Sequence, residues 1–115
     1  MKMKRIEATI QATKIGAVTE ALNDIVGGFT ILEGKGRGSG IRQQVRSARG
    51  TGSITKEYNA VATVSTVVDD SIVEKVSNAI ADAAFTGKGG DGIIAVTNIE
   101  SVLNIASKKS GSEAL

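Results

Sequence analysis

The order strand, helix, strand runs through this chain twice, and that repetition limits its fold more than any other feature. Lys4 to Ile10 alternates, with Ile6, Ala8 and Ile10 on one face and Glu7 and Thr9 on the other, which predicts a half-buried strand. Thr13 is placed to cap a helix in which Ile15, Val18, Leu22 and Ile25 recur at helical spacing. Gly27-Gly28 offers the left-handed position that commonly ends a helix, and Phe29 to Glu33 follows as a short strand. The second half begins with Tyr58 to Val68, a glycine-free run rich in Val and Thr that reads as a long strand. Asp69-Asp70-Ser71 then predicts a helix start, with Glu74 closing a capping box on Ser71. Ile72, Val76, Ile80 and Ala83 form the inner face of that helix, Gly87 follows its last turn, and Ile93 to Val96 is a further strand. Val102 to Ile105 is expected to add a short strand, and the polar tail from Ser107 to be loose.

A strand that crosses over a helix returns parallel and right-handed. Two such units side by side predict an α+β, ferredoxin-like βαββαβ sandwich, one domain over residues 1–115 with both helices on one sheet face. Ile, Val and Thr populate both faces of the long strand, so the second sheet face needs cover, which a small domain obtains by oligomerising. Aromatics are only 3% of the chain, so the core must be built from Ile, Val, Leu and Ala. No apolar run approaches the ~18 residues of a membrane span, and no signal-peptide pattern is visible, so the expected location is cytoplasmic.

The chain has no Cys and no His, which removes disulfides, thiolate chemistry, the usual general base and the commonest metal ligand. Acid–base work would fall to carboxylates or lysines. Glu7, Glu20, Asp24, Asp69, Asp70, Glu74 and Asp82 all occupy strand-face, cap or helix-surface positions, where solvation or capping explains them. No metal-ligand cluster is visible. The chain is therefore expected to have no catalytic and no metal residues of its own, and not to be an enzyme.

Two glycine-rich segments remain. The insertion between the halves, residues 34–57, reads GKGRGSGIRQQVRSARGTGSITKE. It carries Lys35, Arg37, Arg42, Arg46, Arg49 and Lys56 against Glu57 alone. So long a loop is either a solvated basic excursion or a binding loop that orders on a ligand or partner. The second segment, GKGGDG at residues 87–92, is neither a P-loop nor a dinucleotide fingerprint, since it follows a helix rather than opening one. Taken alone, it reads as a turn at Asp91-Gly92. Together, the two segments each offer bare backbone N–H groups and a cation, the components of an anion-binding nest. An RNA-binding ferredoxin-like module is a further reading, but the only aromatics are Phe29, Tyr58 and Phe85, and none sits in an RNA-recognition motif. A net charge of +2 is too small to imply nucleic acid by itself.

The segments MKRIEATI, EALNDIVGGFTI, EGKGRG, VVDDSIVEKVSNAI, TGKGGDGIIAV and GSEAL fall in an order that resembles the PII family of nitrogen-regulatory signal proteins over almost the whole chain. TGKGGDGIIAV is the most specific of them, similar to the family's TGxxGDGxIxV B-loop signature. The resemblance implies that residues 34–57 are the partner-binding T-loop, 86–92 the B-loop and 99–115 the C-terminal segment. It implies a homotrimer that binds ATP or ADP between subunits, with Mg2+ and 2-oxoglutarate in many members. The implied protein targets are an ammonium transporter or a nitrogen-metabolism enzyme or regulator. Carried over residue by residue, Gly87, Lys88, Gly90, Asp91 and Gly92 line the phosphate side. Gly36, Arg37 and Gly38 close on the same nucleotide. Gly28, Phe29 and Thr30 of a neighbouring subunit meet the adenine end.

The chain also departs from the family. Ile93 stands where the family has a lysine, Asn104-Ile105-Ala106 where it has an RIR-type motif, Ser39-Gly40 where it has arginine-glutamine, and Ala60-Val61 near a further lysine. Each lost charge-assisted bond removes about 1.5–3 kcal/mol unless replaced. Arg37, Lys88, Arg42, Arg46, Lys108 and Lys109 are the candidate substitutes. A divergent sensor of AMP, a cyclic nucleotide or another anion is the alternative these departures raise. Ser53 falls where some members carry a modified tyrosine, and Thr51 where some carry a phosphorylated serine. Both are candidate modification sites.

Overall fold

The computed structural model describes residues 2–38, 44–46, 53–55 and 57–115, with backbone alone at 44–46 and 53–55. Its order is β1 (Met3–Gln11), α1 (Ile15–Leu22), β2 (Thr30–Gly36), β3 (Gln44–Arg46), β4 (Ser53–Thr55), β5 (Asn59–Asp69), α2 (Val73–Ala84) and β6 (Gly92–Ile99). The main sheet runs β2-β5-β1-β6, and every neighbouring pair is antiparallel. The two strands of each half thus run in the same direction, separated by a strand of the other half. That interleaving is the ferredoxin-like sandwich predicted above.

One sheet face and the two helices make the core. Ile6, Ala8 and Ile10 of β1 and Ala62, Val64 and Val68 of β5 meet Val18 and Leu22 of α1 and Val76, Ile80 and Ala84 of α2, all buried. Phe29, Ile31 and Ile94 pack against its edge. The opposite face remains bare. Residues facing each other across the ladders share a face, so Leu32, Thr63, Thr9 and Ile93 form one row across all four strands. Leu32 is 68% exposed and Ile93 72%.

The local details differ from expectation in five places. First, neither helix opens on a side-chain cap: each is entered through a 3-10 turn, Ala12–Lys14 before α1 and Asp70–Ile72 before α2. The predicted caps at Thr13 and Ser71 fall inside these turns. The turns grow directly from strand ends, and the Asp70 N–H donates to the Lys2 carbonyl at 2.9 Å. Second, α1 ends at Leu22 with a right-handed Asn23, and neither Gly27 nor Gly28 has positive φ. Third, β2 extends to Gly36, because its ladder with β5 continues to Gly36↔Asn59.

Fourth, the insertion holds a small antiparallel pair, with Val45 opposite Ile54. Gln-Val-Arg and Ser-Ile-Thr each put a β-branched residue between polar ones, a short alternation that fits a strand. Fifth, the C-terminal segment is ordered by Asn104. Its Oδ1 accepts the N–H groups of Ala106 and Ser107, both at 3.0 Å, and its Nδ2 donates to the Ala114 carbonyl at 3.0 Å. Leu103 and Ser110 form only an isolated bridge, and a 3-10 turn, Gly111–Ala114, buries Ala114.

Candidate functional site

The two glycine segments converge. Gly36 is the last residue of β2 and Gly92 the first of β6, and the ladders set both at the same end of the sheet through Gly36↔Asn59, Gln11↔Val61 and Ile10↔Gly92. Between them lies a cleft of about 420 Å³. Gly36, Arg37 and Gly38 line it from the insertion side, Gly90 and Gly92 from the other, with Thr9, Ile10, Asn59, Val61 and Ile93 between.

One of these glycines, Gly92, is required sterically, and a second, Gly36, is tightly placed. A Cβ on Gly36 would lie 3.1 Å from Val61 Cγ2, and one on Gly92 would lie 1.9 Å from the Thr9 carbonyl oxygen. Gly92 also has φ +121.

The turn after α2 is built around Asp91. Its Oδ2 accepts the Thr86 N–H at 2.7 Å and the Gly87 N–H at 3.0 Å, and its Oδ1 accepts the Thr86 hydroxyl. Gln11, at the end of β1, donates to Asp91 Oδ1 at 3.4 Å and to the Gly90 carbonyl at 3.3 Å, tying the turn to the sheet. The Thr86 hydrogen bonds, aided by Gly87 and Lys14, hold the Asp91 carboxyl below the usual carboxylate range against an opposing effect of burial. Asp91 is therefore an internal anion that folds the turn, and the Thr86 and Gly87 donors serve it. Helix α2 itself stops at Phe85, in an extended conformation, and Gly87 (φ +84) lies in the turn beyond.

Of the residues singled out from sequence, the structure of one chain brings Gly36, Arg37, Gly38, Gly90 and Gly92 to one cleft. Gly87, Lys88 and Asp91 belong to the same turn but do not line that cleft among the described residues. Asp91 lines a smaller hollow of about 280 Å³ beside it. Thr30 opens β2, six strand steps or roughly 20 Å from Gly36, and Gly28 and Phe29 precede it beyond the strand's far end. There the Thr66 hydroxyl donates to the Gly28 carbonyl at 2.6 Å.

Sequence reasoning missed Thr9, Ile10 and Asn59 as lining residues and Gln11 and Thr86 as supports. Only the ladder register brings the first four to the site. Thr86, five residues before Asp91, was a local signal of an Asx-type turn.

Arg37 is the one cation on the cleft wall among the described residues, and it pairs with Glu57 at 3.8 Å across the base of the insertion. Ile93 and Val61 stand on the wall itself, whereas the Asn104 side chain is engaged in its own turn. Arg42, Arg49, Lys56, Ser39, Gly40 and Thr51 lie outside the described residues, as do the side chains of Arg46 and Ser53. Among the described residues, no three His, Cys, Asp or Glu side chains converge as a metal site. Glu7, Glu20, Asp24, Asp70, Glu74 and Asp82 are exposed, and Asp69 is half-buried.

A family model described as nitrogen regulatory protein P-II matches residues 3–109. The chain belongs to the P-II family. Its relatives include the P-II proteins of Azospirillum brasilense, 36% identical over 98% of this chain and all of the relative, and of Bradyrhizobium diazoefficiens, 38% identical over the same shares. Among solved structures, Arabidopsis thaliana PII bound to citrate superposes with a TM-score of 0.79 at 26% identity, covering 99% of this chain and 92% of that one. The complex of B. subtilis GlnK with ATP superposes at 0.78 and 24% identity, covering 99% and 98%, a likeness of fold. The cleft lies between the start of the insertion at 34–57 and the turn at 86–92. No helix among the described residues is long and apolar enough to cross a membrane.

Proposed function

We propose that this chain is a non-enzymatic P-II signal protein that binds an adenine nucleotide in the cleft and reports its occupancy through the loop at residues 34–57. The convergence of Gly36, Arg37 and Gly38 with Gly90 and Gly92 on one cleft carries the reading. Glycines let backbone donors approach a phosphate, and Arg37 offers a forked cation for its oxygens. The GlnK–ATP complex, alike in fold, is consistent with it.

The assembly is a homotrimer. The row Leu32, Thr63, Thr9 and Ile93 is the surface that needs cover, and Ile93 sits both in that row and on the cleft wall. Gly28, Phe29 and Thr30 are too far from the cleft to serve their own chain's ligand, so they meet the adenine across a subunit interface. Lys88 stands on the B-loop as a second cation for the phosphates. Mg2+ enters as the nucleotide's companion ion, since no carboxylate lines the cleft among the described residues. 2-Oxoglutarate is a candidate second ligand, and the protein works in the cytoplasm on an ammonium transporter or a nitrogen-metabolism enzyme or regulator. Thr51 and Ser53 remain the loop's candidate modification sites.

One observation favours a divergent sensor of AMP, a cyclic nucleotide or another anion: the cleft wall presents Ile93 and Val61 with a single cation, Arg37. Titration calorimetry with ATP, ADP, AMP and 2-oxoglutarate tests both readings. Millimolar or tighter binding of at least one adenine nucleotide is expected, and binding of none sinks the sensing claim. An RNA-binding module is disfavoured by the placement of Phe29, Tyr58 and Phe85, none of which lies within a strand.

The Arg37–Glu57 pair gives a further expectation. A phosphate in the cleft competes with Glu57 for Arg37, so Glu57→Gln should tighten nucleotide binding. The pair is exposed and loosely spaced, so the gain is small, about two- to fivefold at low salt, and shrinks as salt rises. Unchanged affinity at low salt would show that the two groups do not compete.

A further inference from the structure

We propose that Ile93 sets how much negative charge the cleft accepts, so that it favours a nucleoside monophosphate over a triphosphate. The inference rests on the adenine-nucleotide reading above and names which ligand of that class fits.

Three observations carry it. Ile93 is 72% exposed, yet it stands on the wall of the glycine-lined cleft and of the hollow beside it. A bare branched side chain at that point gains by being covered with a planar or apolar part of a ligand. Phosphate oxygens set against it lose water and find no donor. Next, the donors of the turn at 86–88 are already engaged. The Thr86 and Gly87 N–H groups serve Asp91, and the Lys88 N–H donates to the Thr86 hydroxyl at 3.3 Å. Finally, Arg37 shares its charge with Glu57. One phosphate can take Arg37 and the backbone donors of the facing glycines. Lys88 stands on the turn but does not line the cleft among the described residues, so each further phosphate brings more charge to a wall whose next residue is an isoleucine.

Calorimetry on the full chain with AMP, ADP and ATP, for the natural protein, Ile93→Lys and Ile93→Gln, tests this. The natural protein should bind AMP at least as tightly as ATP. Ile93→Lys should raise ATP affinity by about tenfold or more, with a much smaller change for AMP. Ile93→Gln, which alters shape and polarity without adding charge, should leave the order of the ligands unchanged. Ile93 is exposed in the single chain, so both variants should keep the subunit fold, which a melting curve checks, and gel filtration checks that they assemble as the natural protein does. Natural protein that binds ATP more than about tenfold tighter than AMP would overturn this inference alone, as would an unchanged ATP-to-AMP ratio in Ile93→Lys. If none of the three ligands binds either protein, the adenine reading falls and the inference with it.

Discussion

Gly92→Ala should destabilise the chain by about 3 kcal/mol or more, combining backbone strain of ~1–3 kcal/mol with an overpacking cost of similar size. The new methyl carbon would lie 1.9 Å from the Thr9 carbonyl oxygen, 3.0 Å from the Thr9 carbonyl carbon and 3.2 Å from Ile10 Cα. These are backbone atoms of β1, held between β5 and β6, and cannot rotate aside as a side chain would. The residue would also have to hold φ near +121, which L side chains rarely adopt. Against a total stability of about 5–15 kcal/mol, this is a large fraction, equivalent to a melting point lower by more than about 10 °C. Gly38→Ala is the control. Its added carbon meets nothing within 4 Å among the described residues, so it should change stability by less than about 0.5 kcal/mol. Thermal unfolding of the two variants side by side checks the contrast, and equal melting points would show that β6 does not start against Thr9.

Asp91→Ala should have its main effect on binding. The substitution strips the turn of acceptors for two backbone N–H groups and the Thr86 hydroxyl, and cuts one of Gln11's two links to it. Gly90 then keeps only its link to Gln11 while the rest of the turn is released, and nucleotide affinity should fall by roughly tenfold or more, as expected when a binding loop loses its preorganisation. The pH dependence has a definite sign. Because the folded protein holds this carboxyl below its ordinary value, its stabilising effect is complete above about pH 4 and is lost as the pH falls through the folded value. The melting point of the natural protein should therefore exceed that of Asp91→Ala at neutral pH, and the two should converge in acid. A gap that persists below the titration would mean that the charge of Asp91 does not hold the turn.

Much of the architecture was readable from patterning. Alternation in Lys4 to Ile10 and the helical spacing of Val18 with Leu22 and Val76 with Ile80 pick out residues that are fully buried or nearly so. Two copies of one local order leave few ways to interleave four strands. The helix ends were less readable. Each helix is entered from a strand end through a 3-10 turn with no side-chain cap, so Thr13 and Ser71 looked like caps and are not. The order around Asn104 was hidden for a similar reason, since one amide replaces a hydrophobic anchor. Within the site, the glycines and Asp91 were visible as types, but their roles depend on register. Thr9, Val61 and Ile93 are far apart in the chain and meet only because β1 pairs with both β5 and β6.

A nucleotide bound between the two glycine segments would meet the backbone of both. A nitrogen-15 NMR titration with AMP and ADP reads this directly at the backbone. Saturable shifts of the Gly36, Gly38, Gly90 and Gly92 amides with one common dissociation constant are expected. Saturable binding that leaves all four amides unmoved would contradict that placement.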